Sequence, residues 1–75
     1  MLEYSLMTDK ALMRIGKKLQ AARKLKDLTQ EQVAEKVGIS RTYYSQIENG
    51  ERNPAATVIM DISKVLGVDI SDILR

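Results

Sequence analysis

The chain has 75 residues, 44% of them hydrophobic, with no cysteine, no histidine and only three tyrosines as aromatic residues. That length suits one small domain with a marginal core, the aliphatic composition favours helices over sheets, and the lack of cysteine excludes disulfides and thiolate metal sites. Formal charge is only +2, yet residues 9 to 52 hold ten Lys or Arg against six Asp or Glu, a surplus that suits a polyanion on one side or an ordinary solvated face.

Residues 1 to 8, MLEYSLMT, read as an N-terminal extension, with Leu2, Tyr4 and Leu6 alternating with polar positions. It has no Lys or Arg, so a frayed end or a packing segment is expected rather than a basic arm that grips a polyanion. From residue 9 to residue 75 the pattern is that of an all-α domain. Thr8 or Asp9 opens a long first helix in which Leu12, Ile15, Leu19, Ala22 and Leu25 recur at helical spacing, ending near Asp27. Thr29 caps a second helix, about Gln30 to Val37, and Gly38 supplies the left-handed residue that ends it. Ser40 caps a third, about Arg41 to Asn49, closed by Gly50. After the turn at Asn53-Pro54, the residues Ala56, Ile59, Ile62 and Leu66 define a fourth helix that stops at Gly67, and Asp69 caps a fifth element, Ile70 to Leu74.

Helix, tight turn, helix is the consequence for residues 29 to 49. At about 100° per residue, Tyr44 and Ile47 share one face of the third helix, while Arg41, Thr42, Ser45 and Gln46 lie opposite, with Tyr43 and Glu48 at the boundaries. The outer four carry base-reading chemistry: Arg can donate twice to guanine, Gln can pair with adenine, and the Thr methyl can meet a thymine methyl. Tyr43 fits either a half-buried spacer or a phenol against phosphate or sugar. Gln30, at the start of the second helix, suits a phosphate or simply a first helical turn. Ser40, Asn49 and Arg52 stand where they could touch the DNA backbone. Arg23, on the inward side of the first helix, and Glu48 are candidates for a buried ion pair.

In this ordered set the chain resembles the Cro/C1-type helix-turn-helix family, the xenobiotic-response-element-like regulators. The match runs from about Ile15 to Leu74 through Leu28-Thr29-Gln30, Val33-Ala34, Val37-Gly38-Ile39-Ser40, Ile47-Glu48-Asn49-Gly50, Asn53-Pro54 and Leu66-Gly67-Val68. The resemblance implies a compact five-helix lambda-repressor-like domain, with Gln30 and Asn49 at phosphates, Arg41, Thr42 and Gln46 at bases, and Arg23 paired with Glu48. Within the family, Arg41-Thr42-Tyr43 with Ser45 and Ile47-Glu48 looks most like controller proteins of restriction-modification systems. The chain departs from the pattern at its apolar extension and at Ala55, where many relatives place a hydroxyl cap.

A DNA-binding transcriptional regulator, acting as a homodimer on a palindromic operator, is therefore the leading expectation, with RNA polymerase a further candidate partner. An antitoxin-like protein-interaction module that also binds DNA is the alternative. An enzyme is disfavoured: without His or Cys the usual bases, nucleophiles and metal ligands are missing, and neither cofactor nor metal is expected. Val68, Ile70, Ile73 and Leu74, with part of the fourth helix, are the expected dimer contact, with core packing the simpler role of Val68 and Ile73, and Leu2, Tyr4 and Leu6 are the next candidates. No apolar run reaches the length of a membrane span and no secretory signal opens the chain, so a soluble, cytoplasmic protein is expected.

Overall fold

Four of the five helices begin at a side-chain oxygen that accepts a backbone N–H. In the computed structural model, which describes residues 8–75, these helices are α1 (Asp9–Leu25), α2 (Gln30–Val37), α3 (Arg41–Glu48), α4 (Ala56–Leu66) and α5 (Ile70–Leu74). Thr8 accepts from Ala11, Thr29 from Gln32, Ser40 from Tyr43 and Asp69 from Ser71. Thr29 completes a capping box, since the Gln32 side chain accepts its N–H at 2.8 Å. The expected extension falls outside the described residues except for Thr8.

Helix α4 is the exception. Ala55 occupies its N-cap position with no side-chain bond, leaving an amide of the first turn without that partner. Ala55→Ser should raise stability by about 1 kcal/mol in urea unfolding, the usual worth of a hydroxyl cap. No gain, or a loss, would mean that the first turn of α4 is already satisfied in another way.

The core is a single cluster fed by every helix: Ile15, Leu19 and Ala22 of α1, Val33 and Ala34 of α2, Tyr44 and Ile47 of α3, Ile59, Ile62 and Leu66 of α4, and Ile73 of α5. Helix α3 packs on α1 and α2, α2 on α4, and α5 on α1 and α4. The chain turns sharply between α2 and α3, where Gly38 takes φ 88° and its N–H bonds to Ala34 O at 2.8 Å. Between α1 and α2 the same left-handed turn is made by Asp27, φ 59°, with Leu28 N–H returning to Arg23 O.

One expected core position is corrected. Leu25 is 88% exposed. At about 100° per residue it lies roughly 100° from the centre of the stripe formed by Leu12, Ile15, Leu19 and Ala22, and Arg23 takes the inward place in the last turn. The carbonyls at the end of α5 are met by cations from α1: Lys18 Nζ donates to Asp72 O and Arg75 O, and Arg14 Nε donates to Arg75 O. Among the described residues no helix is long and apolar enough to cross a membrane.

Candidate nucleic-acid interface

Helix α3 is only eight residues long, too short to be stable alone, so its tertiary contacts fix its orientation. Its inner face is fully committed. Tyr44 is 0% exposed, Ile47 and Glu48 are buried, and Gly16 of α1 lies directly beneath its C-terminal turn. A Cβ built on Gly16 would stand 2.3 Å from Glu48 O and 2.7 Å from Ile47 O, so only a glycine lets the two backbones approach this closely.

Glu48 is the centre of a buried polar network. Arg23 Nε donates to Glu48 Oε2 at 2.7 Å and Nη2 donates to Oε1 at 3.2 Å, while Nη1 donates to Leu28 O at 2.8 Å. Gln30 Nε2 adds a bond to Glu48 Oε1 at 2.9 Å. The carboxylate thus ties α3 to the end of α1 and the start of α2. Burial by itself would raise the Glu48 pKa, but the Arg23 guanidinium first, then the neighbouring Tyr44 hydroxyl and the Gln30 amide, outweigh it and hold the carboxyl below its ordinary value. The Tyr44 hydroxyl is buried beside this carboxylate with no partner in hydrogen-bond geometry among the described residues, and burial, then the neighbouring carboxylate, pushes its pKa far up.

The outer face carries the residues singled out for DNA. Arg41 and Thr42 are exposed at the N-terminal end of α3, whereas Ser45, Gln46 and Tyr43 are half-buried along its flank. Ser40 Oγ is occupied as the cap acceptor of the Tyr43 N–H, which leaves its O–H as a donor. Asn49 ends the helix in an exposed position. The chain then reverses at Gly50, φ 74°, where Glu51 N–H bonds to Gln46 O at 2.8 Å and Gly50 N–H to Ile47 O at 3.1 Å. This reversal brings Arg52 back over α3. Its Nε donates to Gln46 Oε1 at 3.1 Å, and its guanidinium carbon lies 5.8 Å from the centre of the Tyr43 ring.

An open groove of about 580 Å³ separates the start of α3 from the α1–α2 junction, lined by Arg23, Lys24, Thr29, Gln30 and Arg41 together with Asp27, Leu28 and Glu31. The side chains expected at DNA therefore sit on one run of structure, from the start of α2 through α3 to Arg52. Lys24 joins them through the groove. Sequence reasoning had no means to place it there, because its position depends on how α1 docks. Three further features were missed. Gln30 is bonded to Glu48 as well as standing at the head of α2, Arg52 meets Gln46 and Tyr43, and Gly16 sets the spacing of α1 and α3. Only Gly16 left a local sign, a glycine inside a strongly helical pattern.

The residues expected at a dimer contact divide. Ile73 is 3% exposed and belongs to the core, Val68 and Ile70 pack partly against it, and Leu74 is 42% exposed. Met60 of α4 is exposed to a similar degree. Ile73 is thus consumed by folding, because the short α5 must bury at least one large side chain to dock at all.

A family model described as helix-turn-helix matches residues 19–73. The chain belongs to this family, in its Cro/C1-type branch. It is 46% identical over 61 residues to the control protein C.MunI of a Mycoplasma species, an overlap of 80% of this chain and 82% of that one. Among solved structures it is similar to the restriction-modification controller protein C.AhdI of Aeromonas hydrophila, with a TM-score of 0.82, 28% identity, and coverage of 85% of this chain and 97% of that one. It is also similar to SinR, a master regulator for biofilm formation, solved in complex with DNA, with a TM-score of 0.75, 34% identity, and coverage of 81% and 98%. The family is one of DNA-binding transcription regulators, and the five-helix fold agrees with that of its members.

Proposed function

We propose that this helix-turn-helix protein is a sequence-specific binder of double-stranded DNA that regulates transcription, entering the major groove with α3. The observation that carries the reading is the division of α3: Tyr44, Ile47 and Glu48 are locked inward while Arg41 and Thr42 project from its N-terminal end beside the groove that Lys24 also lines. Arg41, Thr42, Ser45 and Gln46 face the base edges in this arrangement. Gln30, Ser40, Tyr43, Asn49 and Arg52 face phosphates and sugars, helped by the backbone amides of Gln30 and Glu31, which have no helical acceptor one turn back. A restriction-modification controller, the role of the similar C.AhdI, is the favoured setting, in keeping with the likeness to the control protein C.MunI.

Two copies acting together fit a short domain with one reading helix, since one α3 covers too few bases to specify a site. The exposed Leu74 and Met60, with the half-buried Ile70 and Val68 and the core residue Ile73, are the side chains we assign to that contact. It would hold two α3 helices about 34 Å apart, one turn of DNA, over a palindromic operator. Occupancy would act on RNA polymerase by exclusion or by contact, and the protein would work in the cytoplasm.

Selection of bound sequences from random duplex DNA, followed by salt titration, tests the reading. A two-fold symmetric consensus is expected. With roughly six phosphates neutralised, log affinity should fall against log salt with a slope near −5. Arg41→Ala should relax one symmetric position and cost about 1 to 3 kcal/mol per half-site. Binding that enriches no sequence, or is indifferent to salt, defeats the proposal.

A further inference from the structure

A glutamine that reads adenine uses both ends of its amide, the nitrogen donating to N7 and the oxygen accepting from the N6 amino group. In this chain the oxygen is already engaged: Arg52 Nε donates to Gln46 Oε1 at 3.1 Å. The arginine is held on two sides. Its guanidinium lies over the Tyr43 ring at 5.8 Å, and the Gly50 reversal, closed by the Glu51 N–H to Gln46 O bond, fixes the backbone that carries it. Tyr43 and Gln46 are three apart on α3 and so share a side of the helix, which is why one planar side chain can reach both.

The geometry points to Arg52 as a positioning residue for base specificity, one that turns the Gln46 oxygen inward and leaves its NH2 group as the end that projects. Gln46 then reads as a donor. It favours base edges that present acceptors, with guanine O6 and N7 the best matched, over the donor-plus-acceptor edge of adenine. Arg52 is exposed and takes no part in the core, so its removal leaves the fold intact. The role rests on the proposal that α3 reads the major groove, and it differs from simple phosphate clamping, which would lend affinity to all sequences alike.

The test is selection from random duplex DNA with the full chain and with the variants Gln46→Ala, Arg52→Ala, Arg52→Lys and Gln46→Ala/Arg52→Ala. Gln46→Ala locates the base position that Gln46 reads. At that position Arg52→Ala should shift preference toward adenine by about tenfold, because the freed oxygen completes the bidentate adenine contact. Arg52→Lys should shift it likewise while keeping the salt slope, since lysine retains the charge but has neither the planar Nε nor the stacking face. The double variant should match Gln46→Ala alone. A wild-type consensus in Arg52→Lys overturns the inference. So does a uniform loss of affinity in Arg52→Ala with the consensus unchanged, the mark of a phosphate contact and nothing more. A Gln46→Ala variant that changes no base position also overturns it. If the wild-type chain enriches no sequence at all, the proposed function fails and this role with it. A wild-type consensus that none of the Arg52 variants alters defeats this role alone.

Discussion

Glu48→Ala is expected to remove about 3 to 5 kcal/mol of folding stability, because it strands a guanidinium that is only 11% exposed and deprives Gln30 of its acceptor. For a chain of this length the total is roughly 4 to 11 kcal/mol, so the variant should be close to unfolding at ordinary temperature. Glu48→Gln keeps the shape and part of the hydrogen bonding and should cost less. Arg23→Met/Glu48→Leu removes both charges together and should recover much of the loss, because neither partner is then left buried alone. A double-mutant cycle in urea measures the coupling. A coupling below about 1 kcal/mol would place the pair with ordinary surface contacts and refute its structural weight.

The same carboxylate gives a pH signature. Its folded pKa lies below the ordinary value of 4.5, so its contribution is complete above that value and is lost as pH falls through the lower folded one. Asp69 is shifted in the same direction by its bonds from the Ser71 backbone and hydroxyl, but it is fully exposed. Acid destabilisation below pH about 4.5 should therefore be shallower in Glu48→Gln than in the wild type, and the difference isolates Glu48.

Gly16→Ala should also destabilise, by about 2 to 3 kcal/mol, against the direction that helix propensity predicts. In an open helix the change would gain roughly 1 kcal/mol. Here the new methyl meets the Glu48 carbonyl at 2.3 Å, and a backbone carbonyl at a helix end cannot rotate aside as a side chain could. Relief requires α1 and α3 to separate, which stretches the Arg23–Glu48 bonds. Urea unfolding of the variant decides the sign. A stabilised Gly16→Ala would show that the two helices do not approach in this way.

Much of the fold was legible because its punctuation is local. Thr8, Thr29, Ser40 and Asp69 each cap the helix that follows within three residues, and Gly50 and Gly67 end helices where only a left-handed residue fits. Leu25 misled because a leucine at the end of a stripe is indistinguishable by spacing from one that the last turn rotates into solvent. The division of α3 into an inner and an outer face was readable from period alone. What could not be read is what depends on docking: the second bond of Gln30 crosses from α2 to α3, Lys24 lines the groove through the placement of α1, and Arg52 reaches Gln46 only after the chain reverses. Charge, equally consistent with a solvated face, decided nothing until these positions were fixed.

The partition of α3 also bears on how such proteins diversify. Residues that hold the helix, Tyr44, Ile47 and Glu48, and residues that project from it, Arg41, Thr42 and Gln46, interleave in sequence without sharing a task in the core. Substitutions at the projecting positions should change stability by no more than about 0.5 kcal/mol, as surface replacements generally do. A duplicated gene could thus acquire a new recognition sequence one residue at a time, each intermediate folding as well as its parent. The buried carboxylate has no such freedom, since no single change at Glu48 or Arg23 leaves the other satisfied. Descendants of this scaffold would then differ most in the residues nearest the bases and least in the residues one step behind them on the same two turns of helix.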